Sequence, residues 1–441
     1  MGIRTVLLTI FILQGSLASA QPTSARHIPG LFAPSADTGA ASEDTVTLEQ
    51  AVAIGVQNNL PLLAERFNVT IAEANEITAR LRPNPVFSFE GTHLDMLGTG
   101  YDLINNAGPA EFAFRTEFVF ERGNKRQNRI DVAFQSRETA RLRVLDVLRS
   151  VVLDIQIAFV DTLLAKANLG LAEEILRGFS DLVTVNEARV RAGDLAQVEL
   201  LRTRVAALQF QNEVRQAALR LRQARNRLQL LLGFSRPVLA FDVMGELGRT
   251  DPQVTVEAMR ERAFSRRPDL LALERDLARS RAELRLQLAL GKVDYTVGAE
   301  YRRQQGLAGR GNSLGFFFSA PLPVFNRNQG EIERVRREQR QIEARIRVLR
   351  ASIENEIQSA YEQYVTSRRL VETFAKEMLE QAREVRRITE YSYRRGEATF
   401  IEFLDAQRAF NETMQGFNES RAEFARSLYL IDAITAKEWT Q

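Results

Sequence analysis

Tyr393-Arg394-Arg395-Gly396-Glu397, followed by Glu402-Phe403-Leu404-Asp405-Ala406, ends one long proline-free segment and begins another that must run back along it. Arg191-Ala192-Gly193-Asp194, with Glu199 and Leu201 behind it, has the same form about 205 residues earlier. The correspondence extends outward from these turns. Thr47-Leu48-Glu49-Gln50-Ala51 returns as Thr255-Val256-Glu257-Ala258-Met259, and Phe120-Glu121-Arg122-Gly123-Asn124 returns as Phe325-Asn326-Arg327-Asn328-Gln329. The order of parts is the same in both halves, so the chain reads as one architecture built from two repeats.

The segments leading into the two glycines predict helices too long for an ordinary globular core. Between Arg126 and Arg191 there is no proline, and Leu145, Leu148, Val152, Ile155 and Phe159 step by three and four, the spacing of a coiled-coil seam. The second half repeats this from Glu331 to Arg395, with Ile342, Ile346, Leu349, Ile353, Ile357 and Ala360 as the seam. Each segment of ~65 residues would be roughly 100 Å long as one helix, so it must lie against other long helices. Gly193 and Gly396 suit a reversal that needs left-handed backbone angles. Asp194 and Glu397 are expected to set a carboxylate at the start of each returning helix, where the macrodipole favours it. Shorter helices are expected over Leu48–Leu81 and Val256–Leu290.

Between short and long helix, each half carries two stretches of period two. Phe87 and Phe89 alternate with Ser88 and Glu90, and Phe112, Phe114, Thr116, Phe118 and Phe120 alternate with Glu111, Ala113, Arg115 and Glu117. Tyr295 and Tyr301, with Val293, Val297 and Ala299, alternate with Asp294, Thr296, Gly298 and Glu300. Phe316 and Phe318, with Leu314, alternate with Ser313, Gly315, Phe317 and Ser319. One such pattern fits a sheet lying on a core, but four in parallel positions fit a transmembrane barrel with a wet interior. Phe87, Phe89, Phe112, Phe114, Phe118, Tyr295, Tyr301, Phe316 and Phe318 are then the lipid-facing residues. An open sheet cannot span a bilayer, and single-chain barrels need at least about eight strands, so four strands per copy imply an oligomer. Thr92–Ala110 and Arg302–Asn312 are expected as loops, and Arg82-Pro83-Asn84-Pro85 and Pro321-Leu322-Pro323 as stiff strand–helix joints.

The expected organisation begins with a signal peptide at 1–20 and a flexible leader at 21–46. The first repeat covers 47–232, with strands at about 86–91 and 111–120 and its tip near 193. A linker at 233–254 precedes the second repeat at 255–436, with strands at about 293–301 and 313–320 and its tip near 396, and a tail at 437–441. The apolar run of the signal, Val6–Leu13, is shorter than the ~18–20 residues of a bilayer helix. The 441 residues contain no cysteine, which excludes disulfides, thiol chemistry and an N-terminal lipidated cysteine. The net charge of +3 comes from interleaved acids and bases, the pattern of solvated helical faces and not of a nucleic-acid partner. His27 and His93 are the only histidines, far apart in sequence, so neither a catalytic triad nor a metal site can be argued; no cofactor is implied and no enzyme is expected.

From about Thr47 to Ala436 the chain resembles the TolC family of outer-membrane efflux proteins. The resemblance rests on the duplicated order of parts, on Pro321-Leu322-Pro323-Val324-Phe325-Asn326-Arg327-Asn328-Gln329-Gly330-Glu331-Ile332, and on the Tyr393–Ala406 stretch. It implies a mainly α fold with a β-barrel part. Three copies would form a 12-stranded outer-membrane barrel in contact with lipid, above a periplasmic α-helical tunnel. Phe234–Arg249 and the C-terminal tail are candidates for a girdle partway along that tunnel. Phe120-Glu121-Arg122-Gly123-Asn124-Lys125-Arg126 is similar to the heavy-metal, CzcC-like branch, with Asn124 where a second glycine is typical. That branch implies a passive trimeric conduit exporting metal cations such as cobalt, zinc, cadmium, nickel or copper. Its partners would be a periplasmic adaptor and a proton-driven inner-membrane pump of the RND type.

Carried onto this sequence, the family's periplasmic gate corresponds to Glu402 and Asp405, with Tyr393 and a carboxylate partner, Glu199, from the first hairpin. The family's arginine two positions after the glycine is Ala398 here, so a closing salt bridge from that position is absent. Gly193, Asp194, Gly396 and Glu397 are the expected adaptor-docking tips. Organic-compound efflux and type I secretion are alternatives within the channel class, and a pore-less periplasmic coiled-coil scaffold is the alternative outside it.

Overall fold

The computed structural model describes residues 45–94, 96, 98, 110–306 and 309–437. The expected signal peptide, nearly all of the leader, His27, most of the Thr92–Ala110 loop and all but the first residue of the tail lie outside the described residues.

The first repeat opens with a two-residue strand, β1 (Thr45–Val46), and the helices α1 (Leu48–Asn58) and α2 (Leu60–Arg80). Two strands, β2 (Val86–Thr92) and β3 (Glu111–Phe120), lead into α3 (Lys125–Ala192) and the returning α4 (Gln197–Leu231). The linker holds β4 (Asp242–Val243). The second repeat then runs α5 (Val256–Arg266), α6 (Pro268–Leu290), β5 (Tyr295–Gly306), β6 (Gly309–Ser319), α7 (Gln329–Thr373), α8 (Leu379–Arg395) and α9 (Phe400–Ile434).

The short helix expected over Leu48–Leu81 is broken at Asn59, and the one over Val256–Leu290 at Arg267. Both residues are extended, with ψ of 118° and 119°. Pro268 forces Arg267 out of the helical region, and Pro61 cannot donate in the turn it occupies. Asn59 compensates by capping α2, accepting from the Leu62 N–H at 3.1 Å, while its amide donates to the Leu231 carbonyl at 2.9 Å. Arg267 is buried and held by Asp269 at 2.7 Å and Glu356 at 2.5 Å.

The long helices differ between repeats. α3 is one uninterrupted helix of 68 residues. Its counterpart is divided: α7 and α8 are joined through a π-helical turn, Phe374–Met378. There Phe374 packs on Gly416 of α9, where a Cβ would come within 2.9 Å of its ring. Of the seam residues, Val152, Ile155, Phe159, Ile342, Ile353, Ile357 and Ala360 are buried, whereas Leu145 is half exposed at the start of its seam.

α9 contributes to all three apolar cores. Ala422 and Ala425 join Ile155, Phe159 and Leu228; Phe424 and Leu428 join Met259, Leu270 and Ile357; and Phe403 and Phe410 join Phe179, Leu182 and Tyr393. The linker sits against the middle of α3. Phe241, Val243 and Leu247 pack with Phe159 and Leu163, β4 pairs in parallel with β1, and Asp242 is held by Lys166 and Arg225, each at 2.7 Å.

Candidate functional site: a two-faced sheet and paired hairpin tips

The four long strands form one antiparallel sheet in the order β2-β3-β5-β6. Arg302–Gly306 and Gly309–Asn312, expected as loop, continue the ladder of β5 and β6 down to the pair Gly306–Gly309. Backbone pairing does not need apolar side chains, so the ladder outlasts the alternation that marks it in sequence. The strand expected from 293 begins two residues later, at Tyr295.

Register brings the aromatic residues onto one face. Phe89, Phe114, Tyr301 and Leu314 lie in one row, and Phe118, Val297 and Phe318 in another. The rings of Phe89 and Phe114 are 5.0 Å apart, Phe114 and Tyr301 6.4 Å, and Tyr295 and Phe318 5.2 Å. This face is exposed, Phe316 to 80%. The opposite face holds charges in pairs: Arg115 with Glu117 at 2.7 Å, and Arg302 with Glu300 at 2.9 Å and Glu90 at 3.9 Å. Phe317 lies on that polar face, where Arg115 stacks over its ring at 3.6 Å and the ring covers Gly298. Among the described residues the sheet is open at both edges, β2 and β6.

At the other end of the long helices the two reversals are closely alike. Gly193 and Gly396 have φ of 86° and 81°, and the next N–H groups, of Asp194 and Glu397, close onto Arg189 and Ser392 at 2.9 and 2.8 Å. Asp194 and Glu397 lie in the turns, ahead of helices that start at Gln197 and Phe400, so they do not begin the returning helices as expected. The carboxylates in the first helical turns are Glu199 and Glu402. Glu402 closes a capping box, accepting from the Thr399 N–H at 2.7 Å and its hydroxyl at 2.9 Å. Those bonds, from the backbone first and the hydroxyl second, hold its carboxyl below the usual range.

Tyr393 is buried, not lining an open surface; its ring stacks on Phe403 at 5.5 Å. Its hydroxyl accepts from Asn186. The Asn186 amide reaches the Tyr393 hydroxyl and the Thr203 Oγ1, both at 2.9 Å, and Thr203 donates to the Glu199 carbonyl at 2.8 Å. The Glu199 carboxylate pairs with Arg202 at 2.8 Å instead. A neutral amide is the cheaper partner for a phenol in a dry seam, since a buried carboxylate must first be desolvated. Asp405 is exposed, with Arg408 only at 4.0 Å. Ala398 packs into the tip core in place of the family's arginine.

Sequence reasoning missed Asn186. Its signal was present: Leu171, Ile175, Phe179, Leu182 and Asn186 continue one apolar seam, and a lone amide there is costly unless it has partners. Among the described residues no group of three or more acidic or histidine side chains could hold a metal ion, and no helix is long and apolar enough to cross a membrane.

Residues 259–435, nearly the whole second repeat, match the family model described as outer membrane efflux protein. That segment carries the pattern of outer membrane efflux proteins. The cobalt-zinc-cadmium resistance protein CzcC of Cupriavidus metallidurans is 24% identical over 82% of this chain and 83% of its own length. The pyoverdine export outer membrane protein OpmQ of Pseudomonas putida is 26% identical over 82% and 80%. A membrane protein from Pseudomonas aeruginosa has the same fold, with a TM-score of 0.73 at 17% identity over 88% and 90% of the two chains. The second repeat is thus similar to outer membrane efflux proteins, and the whole described chain shares the fold of a bacterial membrane protein.

Proposed function

We propose that three copies of the chain close into a 12-stranded barrel and form a passive conduit for heavy-metal cations, fed by a periplasmic adaptor and an RND-type inner-membrane pump. The observation that carries the reading is the open sheet with one aromatic and one ion-paired face. Its two unpaired edges have no place in a bilayer unless they meet other copies, and its faces suit lipid outside and water inside. Two copies reach eight strands; three reach twelve and match the family's form. The similarity to CzcC supports metal cargo, with ion choice made by the pump. The similarity to OpmQ supports organic-compound efflux as the second reading.

The conduit closes at the hairpin tips. Tyr393, Asn186 and Thr203 fasten the second hairpin to the first within each chain, while Asp405, left exposed, contributes one carboxylate per copy to a ring at the mouth. Three like charges about 6 Å apart repel by roughly 0.7 kcal/mol per pair even in water, and such a ring attracts cations. Glu402 supports the same turn through its cap. The turns at Gly193, Asp194, Gly396 and Glu397 meet the adaptor.

Detergent-extracted protein should migrate as a trimer and give single-channel conductance in planar bilayers. Asp405→Asn should weaken block by trivalent cations; unchanged block would remove Asp405 from the gate, and a monomer without conductance would remove the channel reading. Deleting the gene should raise sensitivity to cobalt, zinc or cadmium; unaltered metal tolerance with raised sensitivity to organic compounds would favour the second reading.

A further inference from the structure

The end of the β5–β6 hairpin away from the helices carries two arginines unlike any others in the sheet. Arg303 pairs across the ladder with Asn312, and Arg310 lies two residues from Asn312 on the same strand. Arg303 and Arg310 therefore share the aromatic face with Tyr301, Leu314 and Phe316 and are diagonal neighbours, about 7–8 Å apart. Both are exposed. Among the described residues neither side chain has a hydrogen bond, ion pair or ring partner, whereas Arg115 and Arg302 on the opposite face are matched by glutamates.

Their height decides what they meet. From Tyr295 to Arg303 is eight residues, roughly 27 Å along the strand at ~3.4 Å each. A strand tilt of ~40° turns that into roughly 21 Å of depth, close to the ~25 Å apolar band of an outer-membrane barrel. Aromatic rings fill the span, and the arginines stand at its outer rim, where a lipid-side charge is tolerated. Barrel closure does not cover them, because copies join through the in-plane edges of β2 and β6 and leave the faces free. Tyr301 donates to Asn312 at 3.0 Å, setting a polar step directly beneath.

We propose that Arg303 and Arg310 bind the phosphate groups of anionic lipids in the outer leaflet. Two guanidinium forks at this spacing clasp one phosphate, and the Tyr301–Leu314–Phe316 surface below receives the acyl chains. The site rests on the reading of the aromatic face as lipid-facing.

The test places the purified full-length protein in nanodiscs of dioleoylphosphatidylcholine doped with lipid A and measures lipid A retained per channel by mass spectrometry. The wild type should enrich lipid A. Arg303→Gln/Arg310→Gln should lose about 25-fold in affinity, about fivefold for each arginine. Arg302→Gln, on the ion-paired face, should retain lipid A fully, and circular dichroism and oligomer mobility of each variant establish that it folds. Equal retention by wild type and double variant, with unaltered conductance, would overturn the phosphate site while leaving the barrel reading intact. Equal retention with altered ion selectivity in the double variant would mean these arginines face the pore, and would overturn both.

Discussion

Asn186 ties the tips of the two hairpins together through a buried amide, and Asn186→Leu tests what that tie contributes. The residue is fully buried, and its amide donates two hydrogen bonds of 2.9 Å, to Tyr393 on α8 and Thr203 on α4. Leucine keeps the volume and removes both bonds, a loss of about 1–3 kcal/mol at 0.5–1.5 kcal/mol each. Tyr393→Phe removes one, about 1 kcal/mol. Hydrogen exchange followed by mass spectrometry reads the effect locally, since amides near the tips exchange through local opening. Peptides covering Val185–Leu201 and Thr389–Asp405 should exchange about fivefold faster in Tyr393→Phe and about 25-fold faster in Asn186→Leu. Peptides from α1 and α2 should be unaffected. The decisive comparison is the double variant. Without Asn186 the Tyr393 hydroxyl has already lost its partner, so its removal should add nothing, a coupling of about 1 kcal/mol. If Tyr393→Phe accelerates exchange fivefold on both backgrounds, the bond does not link the hairpins and the fastening assigned to this network is wrong.

Thr399→Ala, which removes the hydroxyl of the capping box, should cost about 1 kcal/mol, read from thermal unfolding of the helical signal. Because the Glu402 carboxyl is held below its usual range, it adds stability at neutral pH that is lost as pH falls through that depressed value. In Thr399→Ala the melting temperature should therefore fall less on acidification than in the wild type; parallel pH profiles would disprove it. Gly193→Val or Gly396→Val places a β-branched side chain at φ of 86° or 81° and should abolish binding to the adaptor while the trimer persists, as scored by pull-down and native gel. Loss of the trimer would instead assign the glycines to folding. At Gly298 a side chain would overlap the Phe317 ring and lie 2.5 Å from the Thr116 carbonyl, so Gly298→Val should sharply reduce the yield of heat-resistant oligomer. A normal yield would show that the polar face has room the packing denies.

Much of the molecule is legible in one dimension because its determinants are local. Period-two alternation in Glu111–Phe120, the three-four seam of Val152, Ile155 and Phe159, and glycines at left-handed turns depend only on residues a few places apart. Duplication adds a second sample of each signal, so helices, strands and tips follow with the sequence alone in hand. Boundaries failed where local chemistry was overridden. The helix breaks at Asn59 and Arg267 arise from prolines acting on the preceding turn. The polar continuation of β5 and β6 arises from backbone pairing, to which alternation is blind. What only the tertiary structure decided is the pairing of side chains distant in sequence. Tyr393 meets Asn186, 207 residues away, in a dry helical seam that favours a neutral amide, while the Glu199 carboxylate pairs with Arg202. Likewise the sequence assigns Arg302 and Arg303 to one polar stretch, and the register of the sheet sends one to glutamates on the ion-paired face and the other to the end of the aromatic face. Successive side chains on a strand point to opposite faces, so their surroundings are settled by what lies across the sheet and not by the neighbours in the chain.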